Sequence, residues 1–318
     1  MNIASIFRSG IKIGCGLILL VCLASPLSAQ KKLNSVAVSV WDLNNPFFMQ
    51  IAHGAQAAAK QIDPGVKFTA ESCNYDVNNQ TNQMDNFIAS GVNLILLGAA
   101  DSRGIAPAVA RAKAAGITVV AIDVSAEGGV DATVTSNDKQ AGQLDAKFVA
   151  DRLKGKGNVV IVNGPPVTEV TDRVDGFLEV VKKYPDIKIL SQDQNAGGNR
   201  DGGQRVMTDL FAAFPKIDAV FAINDPTAIG CDLAARQAKR NNLFIVSVDG
   251  SPDIVPLLKD KDSLIAASAA LDPYTMAEKA VQIGYDIMNG KKPVDERTLI
   301  PVDLVTKENV EQYKGWTR

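Results

Sequence analysis

Several carboxylate and amide side chains in this sequence directly follow short apolar runs. Asp123 and Asp249 each end a predicted strand. Asn45 and Asn224 stand at comparable strand ends. An ionised carboxylate is a strong hydrogen-bond acceptor and an amide both donates and accepts, so such residues can hold a small molecule without reacting with it. Any one of them could equally form a turn or cap a helix, but the symmetrical set favours a binding site.

Motifs for catalysis, cofactors and metals are missing from the sequence. It contains no GxxxxGK[ST] loop, no GxGxxG after a strand and no GxSxG elbow. The single histidine, His53, lies in a predicted helix, where we expect it to cap or pack. Cys73 and Cys231 form no CxxC motif, and we expect two free, buried thiols rather than a disulfide. We therefore predict no catalytic residue, no metal and no cofactor, so the protein is not expected to be an enzyme.

Composition and charge narrow the class of protein further. The chain has 318 residues, of which 46% are hydrophobic and 21% are charged. These values are typical of a globular protein, and the length predicts about two domains. Lys and Arg number 33 against 35 Asp and Glu, which gives a net charge of -2. Without a strongly basic face, no nucleic-acid partner is expected.

Residues 1–29 have the order of segments found in a secretory signal peptide. Arg8 and Lys12 precede an apolar run over 13–23, and small residues follow up to Ala29. The alternative is a membrane anchor, but the run is much shorter than the about 20 residues that span a bilayer. We therefore predict export to the periplasm, with the signal peptide cleaved near Ala29.

The rest of the chain alternates predicted strands with predicted helices. The strands are expected over 35–40, 67–71, 94–97, 118–122, 158–162, 188–191, 219–223 and 244–248. The helices are expected over 48–61, 81–90, 105–115, 172–183, 200–214, 228–240 and 274–288. This alternation predicts an α/β fold with parallel sheets that are covered by helices on both faces.

The α/β pattern occurs twice in the chain. Asp123 and Asp249, which end equivalent strands, are 126 residues apart, and so are Gly98 and Asn224. Such a repeat at domain scale predicts two similar lobes. Ligands of open parallel sheets bind at the carboxyl ends of the strands, so the two lobes should enclose a cleft at those ends.

The repeat also predicts where the chain divides. After Ala270 the chain continues into a further helix, which suggests a return to the first lobe. We predict a signal peptide over 1–29, an N-terminal lobe over 31–136 plus 271–300, and a C-terminal lobe over 137–270 plus 301–318.

Six short motifs together resemble the periplasmic sugar-binding proteins of ABC transporters, in particular the ribose-binding-protein-like group. They are NNPFF at 44–48, AID at 121–123, DRVDGF at 172–177, AIND at 222–225, VDGSPD at 248–253 and PVD at 301–303. The resemblance implies a type I periplasmic binding fold, with two Rossmann-like lobes joined by three crossovers that close on a ligand. It also implies a monomer whose partners are a small-molecule sugar or polyol and a membrane ABC permease.

The resemblance extends to individual ligand-binding residues. It implies that Phe47 and Phe48 flank a sugar ring, whose apolar C–H faces suit an aromatic surface. It implies polar contacts to the ligand from Asn45, Asp123, Arg173, Asn224 and Asp249.

Four positions depart from the pattern of the ribose binders. Val124, Gly198, Ala270 and Gly98 are smaller or less polar than the residues that the resemblance implies there. Because a polar ligand that loses its partners keeps unpaired groups, ribose itself is not expected to be the ligand. Replacement contacts are expected from Trp41, Asp42, Asn137, Glu169 and Asn199, although Trp41 could instead cap the core.

The charges of the expected site indicate a neutral ligand. The two carboxylates of Asp123 and Asp249 outnumber the one guanidinium of Arg173, so a closed cleft would repel an anion. The main hypothesis is therefore a solute-binding protein that delivers a neutral sugar or polyol to an ABC permease. The alternative is a ligand-presenting receptor for chemotaxis or signalling on the same fold. A repressor with this fold would need a basic DNA-binding headpiece where the signal peptide lies.

Overall fold

The computed structural model describes residues 30–316, so the predicted signal peptide lies outside the described residues. The strands are, in chain order, β1 (Ser35–Val40), β2 (Lys67–Ser72), β3 (Leu94–Leu97), β4 (Thr118–Ile122), β5 (Ala132–Ser136), β6 (Lys156–Asn163), β7 (Asp186–Asn195), β8 (Ala219–Ala222), β9 (Phe244–Asp249), β10 (Ile265–Ala270), β11 (Arg297–Ile300) and β12 (Asp303–Thr306). The helices are α1 (Pro46–Ile62), α2 (Val77–Ala89), α3 (Ala106–Ala114), α4 (Asp138–Arg152), α5 (Thr168–Val181), α6 (Arg200–Ala213), α7 (Asp225–Gln237), α8 (Ile254–Lys259) and α9 (Pro273–Met288). No helix within residues 30–316 is long and apolar enough to cross a bilayer.

The first sheet has the strand order β11-β5-β4-β3-β1-β2, and all its neighbours are parallel. Its inner strands β3 and β4 are buried along their whole length. Continuous apolar strands of this kind form when helices cover both faces of a sheet. Helices α1 and α9 pack together on one face, and α2 and α3 pack together elsewhere on the lobe.

The second sheet has the order β12-β10-β9-β8-β6-β7 and repeats the arrangement of the first. Its neighbours are parallel except β12, which runs antiparallel to β10. Helices α4 and α5 form one packed pair, and α6 and α7 form another.

The chain passes between the two sheets three times. It crosses between Ser136 and Asp138, between Ala270 and Pro273, and between Ile300 and Asp303. Two α/β lobes with mostly parallel sheets and three crossovers are the fold class that the repeat and the resemblance predicted, and the prediction is confirmed.

The pair α4 and α5 is held at short distance by two glycines. A Cβ atom at Gly142 would overlap the carbonyl oxygen of Arg173, and one at Gly176 would overlap the carbonyl oxygen of Lys139. The backbones of the two helices are therefore in direct contact. Helix α5 also begins at Thr168, four residues before the predicted start at 172, so Glu169 lies in its first turn.

Candidate functional site

A cavity of about 300 Å³ lies where loops from the carboxyl ends of both sheets meet. The residues that line it follow β1, β2 and β4 of the first sheet and β6 to β10 of the second, and Trp316 joins them from the segment after β12. Of the residues singled out from the sequence, the structure brings together Trp41, Asn45, Phe47, Phe48, Asp123, Glu169, Arg173, Asn224 and Asp249. The cavity therefore lies where the strand-end rule, that ligands bind at the carboxyl ends of parallel strands, predicted it.

One side of the cavity is an aromatic wall, formed by Trp41, Tyr75, Phe47, Phe48 and Trp316. The ring centroids of Trp41 lie 5.6 Å from Phe48 and 5.4 Å from Tyr75. Phe47 continues the wall at 5.3 Å from Phe48 and 5.6 Å from Trp316. These separations are typical of favourable aromatic pairs, so the rings hold one another in place.

Both tryptophans of the aromatic wall are also fixed by hydrogen bonds. The indole N–H of Trp41 donates to the carbonyl oxygen of Ala99 at 2.8 Å. The indole N–H of Trp316 donates to the carbonyl oxygen of Leu271 at 2.9 Å. Trp41 therefore packs locally and also lines the cavity, and its contact with a ligand stays a prediction.

Arg173 provides the guanidinium of the site and is itself buried. Its Nε donates to Asp138 Oδ1 at 2.8 Å, and its Nη1 donates to the carbonyl oxygen of Ile223 at 3.0 Å. Nη1 also lies 3.7 Å from Asp249 Oδ1. Burial works against the charged form, but Asp138 and Asp249 outweigh burial and raise the pKa of Arg173 above its ordinary value. The guanidinium is thus permanently charged and fixed in orientation.

Asp123 and Asp249 bring carboxyl groups to the cavity from different sheets. Burial raises the pKa of Asp123 well above its ordinary value, and the negative charges of Glu169 and Asp138 raise it further. Burial likewise raises the pKa of Asp249, with the charge of Asp225 adding to the effect and Arg173 opposing it. The backbone N–H of Asp225 donates to Asp249 Oδ2 at 3.3 Å. These two carboxyl groups therefore outnumber the guanidinium of Arg173.

The two amide residues of the site serve both as helix caps and as lining residues. Asn45 Oδ1 accepts from the N–H of Phe47 at 3.0 Å at the start of α1. Asn224 Oδ1 accepts from the N–H of Thr227 at 3.0 Å at the start of α7. Asn224 Nδ2 donates to the carbonyl oxygen of Gly198 at 2.9 Å. Part of the hydrogen-bonding capacity of each amide is thus used within the protein.

Three polar residues considered as replacement contacts do not line the cavity. Asp42 Oδ1 accepts from the backbone N–H of Asn44 at 2.9 Å. Asn137 Oδ1 caps α4 through the N–H of Gln140 at 3.1 Å. Asn199 caps α6 in the same way. Turn formation and helix capping account for the local positions of all three side chains.

Of the four departures from the ribose-binder pattern, Gly198 lines the cavity. Its φ of +68° lies in the left-handed region that favours glycine, so the backbone itself forms that part of the surface. Val124 and Ala270 are buried in the core beside the site.

Two members of the aromatic wall, Tyr75 and Trp316, were not singled out from the sequence. Tyr75 follows β2, so the strand-end rule applies to it as it does to Asp123. Burial, followed by the charge of Asp42, raises the pKa of its hydroxyl, and the side chain of Asn45 opposes this rise. Trp316 lies in the C-terminal segment after β12, and nothing in the strand pattern indicates that this segment returns to the cavity.

The cysteines and the histidine of the described residues do not line this cavity. Cys73 and Cys231 are free and buried, as the sequence predicted, and burial raises the pKa of both thiols. His53 is exposed on α1, so the expectation that it caps or packs was wrong. Within residues 30–316, no group of three or more His, Cys, Asp or Glu side chains is arranged to hold a metal ion.

Comparisons with known proteins agree with this geometry. The periplasmic binding protein domain family matches residues 36–292. The ribose import binding protein of Bacillus subtilis is 32% identical over 283 residues, which cover 88% of this chain and 90% of that protein. The xylitol-binding protein of Mycolicibacterium smegmatis is 31% identical over 299 residues, which cover 93% of this chain and 84% of that protein.

A solved structure shows the same architecture with a sugar bound. It is a periplasmic solute-binding protein of an ABC transporter from Actinobacillus succinogenes with bound D-allose. The TM-score is 0.80 at 26% identity, and the match covers 88% of this chain and 100% of that chain.

Proposed function

The chain belongs to the periplasmic binding protein domain family, and from this premise we propose that it captures a neutral sugar or polyol between its two lobes and delivers it to an ABC permease. The observation that carries the proposal is the cavity itself, which sets an aromatic wall beside fixed hydrogen-bonding groups. A sugar has the matching surfaces, because its C–H faces pack on rings while its hydroxyls bond to carboxylates, amides and guanidinium.

The surplus of acid supports a ligand without negative charge. Asp123, Asp249 and Glu169 all line the cavity, whereas the guanidinium of Arg173 is already bonded to Asp138. A sugar acid or a sugar phosphate would bring a further negative charge to an enclosed, acidic site. A hydroxyl group instead donates a hydrogen bond to such acceptors.

The import function is favoured over the alternative of a ligand-presenting receptor for chemotaxis or signalling. The relatives named above are import and sugar- or polyol-binding proteins, and family membership implies an extracytoplasmic location. We further propose export by the signal peptide over 1–29, cleavage near Ala29, a monomeric state and no catalytic turnover. The lobes are proposed to span 31–136 plus 271–300 and 137–270 plus 301–318, in agreement with the membership of the two sheets.

A thermal-shift screen of the purified, exported protein tests the proposed function. The panel contains D-ribose, xylitol, D-apiose, D-allose and myo-inositol, together with gluconate as an acidic compound. A true ligand binds the native state alone and raises the melting temperature. We expect at least one neutral compound to do so and gluconate to have no effect. No shift with any neutral sugar or polyol would contradict the proposal.

The residues that we propose to bind the ligand are tested by calorimetry with the compound that the screen selects. Asp249→Ala removes a half-buried carboxyl group from the cavity wall, so affinity should fall by about 2–5 kcal/mol, or at least about thirtyfold. Asp42→Ala is the matched control, because Asp42 lies near the site but does not line the cavity. If Asp249→Ala binds the ligand with near-wild-type affinity, the binding site is not at Asp249 and the proposed site is contradicted.

A further inference from the structure

Glu169 has a buried carboxylate oxygen without a hydrogen-bond donor. The residue is 9% exposed and lines the cavity from the first turn of α5. Its Oε2 has no hydrogen-bond partner within residues 30–316. An unpartnered buried acceptor costs free energy, so such a group is unusual unless something outside the chain completes it.

The nearby arginine does not provide the missing donor to Oε2. Arg173 directs its Nε to Asp138 and its Nη1 to the carbonyl oxygen of Ile223. Burial raises the pKa of Glu169 above its ordinary value. A backbone hydrogen bond and the charge of Arg173 oppose this rise, but Oε2 itself has no donor among the described residues.

Asp123, which follows a strand of the other sheet, adds a second carboxyl group to the cavity. Asp123 enters the cavity from the loop after β4, where a φ of +67° holds its backbone in the left-handed region. After burial, the negative charge of Glu169 is the strongest influence on the pKa of Asp123. The two lobes thus place one acid each at the same part of the cavity.

We propose that Glu169 is a specificity-determining residue, which together with Asp123 forms a carboxyl pair that accepts a ligand group rich in donor hydrogens and rejects an anionic one. The proposal rests on the proposed function and goes further, because it names the residue that sets the ligand's chemistry at one end of the cavity. An ammonium group, or two neighbouring hydroxyls, can donate hydrogen bonds to both acids at once. A carboxylate or phosphate there would face acceptor oxygens and the negative charge that the pair carries.

The first test needs no ligand and measures the cost of the unpartnered carboxylate. The charged groups that act on Glu169 are Asp123, Asp138, Asp172 and Arg173. Since the folded-state pKa of Glu169 is raised, the folded protein loses stability as pH rises above about 4.3, the ordinary value for glutamate. Gln does not ionise, so Glu169→Gln should melt at a higher temperature than wild type near about pH 8, with the difference vanishing near about pH 4.

Glu179→Gln is the matched control for this test. Glu179 lies on the same helix but is exposed, and its Oε2 accepts from Lys139 Nζ at 2.8 Å. That pair lowers the pKa of Glu179, so its removal should lower the melting temperature slightly or leave it unchanged. A Glu169→Gln protein that is less stable than wild type at high pH would show that the protein itself satisfies Glu169, and would overturn the proposal.

The second test measures selectivity by calorimetry. The probes are D-ribose, xylitol and D-allose, each compared with the aldonate and the 1-amino-1-deoxyalditol of the same carbon chain. In wild type, the neutral and the amino compounds should both bind at least about a hundredfold more tightly than the aldonate. In Glu169→Gln, affinity for the neutral compound should fall at least about tenfold, and the discrimination against the aldonate should shrink by a similar factor.

The outcomes separate this proposal from the proposed function. If no neutral or amino compound binds wild type, the proposed function fails. If a neutral compound binds but Glu169→Gln keeps both its affinity and its selectivity within about twofold, the carboxyl pair alone is overturned. An amino compound that binds more weakly than the aldonate would also overturn it.

Discussion

Two buried carboxyl groups outside the lining of the cavity differ in their hydrogen bonding. Asp225 is completely buried and fully bonded, since it accepts from the hydroxyls of Ser247 at 2.6 Å and Ser268 at 2.7 Å and from the N–H of Ser251 at 2.7 Å. Asp145 on α4 is equally buried, yet neither of its carboxylate oxygens has a hydrogen-bond partner within residues 30–316. Burial, followed by the charge of Asp225, raises the pKa of Asp145 well above its ordinary value. Asp145 is therefore compatible with the core mainly in its neutral form.

The first prediction concerns the stability of Asp145→Asn. Because the folded-state pKa of Asp145 is raised, wild type loses stability as pH rises above about 3.9, the ordinary value for aspartate. Asn has a similar shape and no charge, so the variant should gain about 1–3 kcal/mol over wild type near about pH 8. The gain should disappear near about pH 3.5, where aspartate is neutral in both states. Denaturant unfolding at both pH values measures the difference.

Asp193→Asn is the control for this experiment, because Asp193 is exposed on β7. It should change the free energy of unfolding by less than about 0.5 kcal/mol. A loss of stability in Asp145→Asn at high pH would mean that the ionised carboxylate is compensated in the folded protein.

Among the helices, α4 has the sequence that is hardest to recognise as an amphipathic helix. Asp138 and Asp145 lie on its buried side, so polar residues interrupt the apolar period by which amphipathic helices are found. Strand β10 was missed for a related reason, because its sequence IAASAA is rich in alanine, which favours helices. Strands β3, β4, β8 and β9 were predicted, since their apolar runs are continuous. The sequence thus indicated the elements that carry Asp123, Asn224 and Asp249, but not the helix that carries Asp138, the partner of Arg173.

The second prediction concerns the contact between α4 and α5. Alanine normally favours a helix over glycine by about 1 kcal/mol, so Gly142→Ala should stabilise an isolated helix. In this protein the new Cβ would overlap the carbonyl oxygen of Arg173, and the two helices would have to separate. We expect a net loss of about 1–3 kcal/mol and weaker ligand binding, because Arg173 shifts with α5. Unfolding and calorimetry on the same variant measure both effects.

A stabilised Gly142→Ala protein would contradict the close contact. Ala150→Gly, on the same helix, separates the effects, because it changes helix propensity and packing without inserting an atom between the helices. That variant should lose stability while retaining ligand affinity.

Considered as a whole, the molecule encloses its cavity with residues from both lobes and from the C-terminal segment. The 126-residue repeat predicted the two lobes and the cleft, because parallel strands direct their carboxyl ends to one edge. The pattern could not predict Trp316, since its position depends on packing against Phe47 rather than on any strand. Nor could it show that Arg173 is bonded to Asp138, because that contact joins two helices.

The third prediction uses the position of the tryptophans in the whole molecule. The chain has two tryptophans, Trp41 and Trp316, and both line the cavity. A ligand packed on the aromatic wall displaces water from both indoles, so saturating ligand should change the emission of wild type. Trp41→Phe and Trp316→Phe should each retain a part of that change, as measured by fluorescence titration. Unchanged wild-type emission, at a ligand concentration that raises the melting temperature, would contradict the location of the site.

The two strands nearest the C-terminus also have a consequence for the order of folding. Strand β11 completes the first sheet beside β5, more than 160 residues later in the chain, and β12 completes the second sheet beside β10. Neither sheet can close until nearly the whole polypeptide is available, and such distant pairings form slowly because a long loop must be ordered first. A nascent chain therefore stays without a finished lobe until its synthesis is almost complete. For the export that we propose, this delay would leave the chain unfolded while most of it is being synthesised.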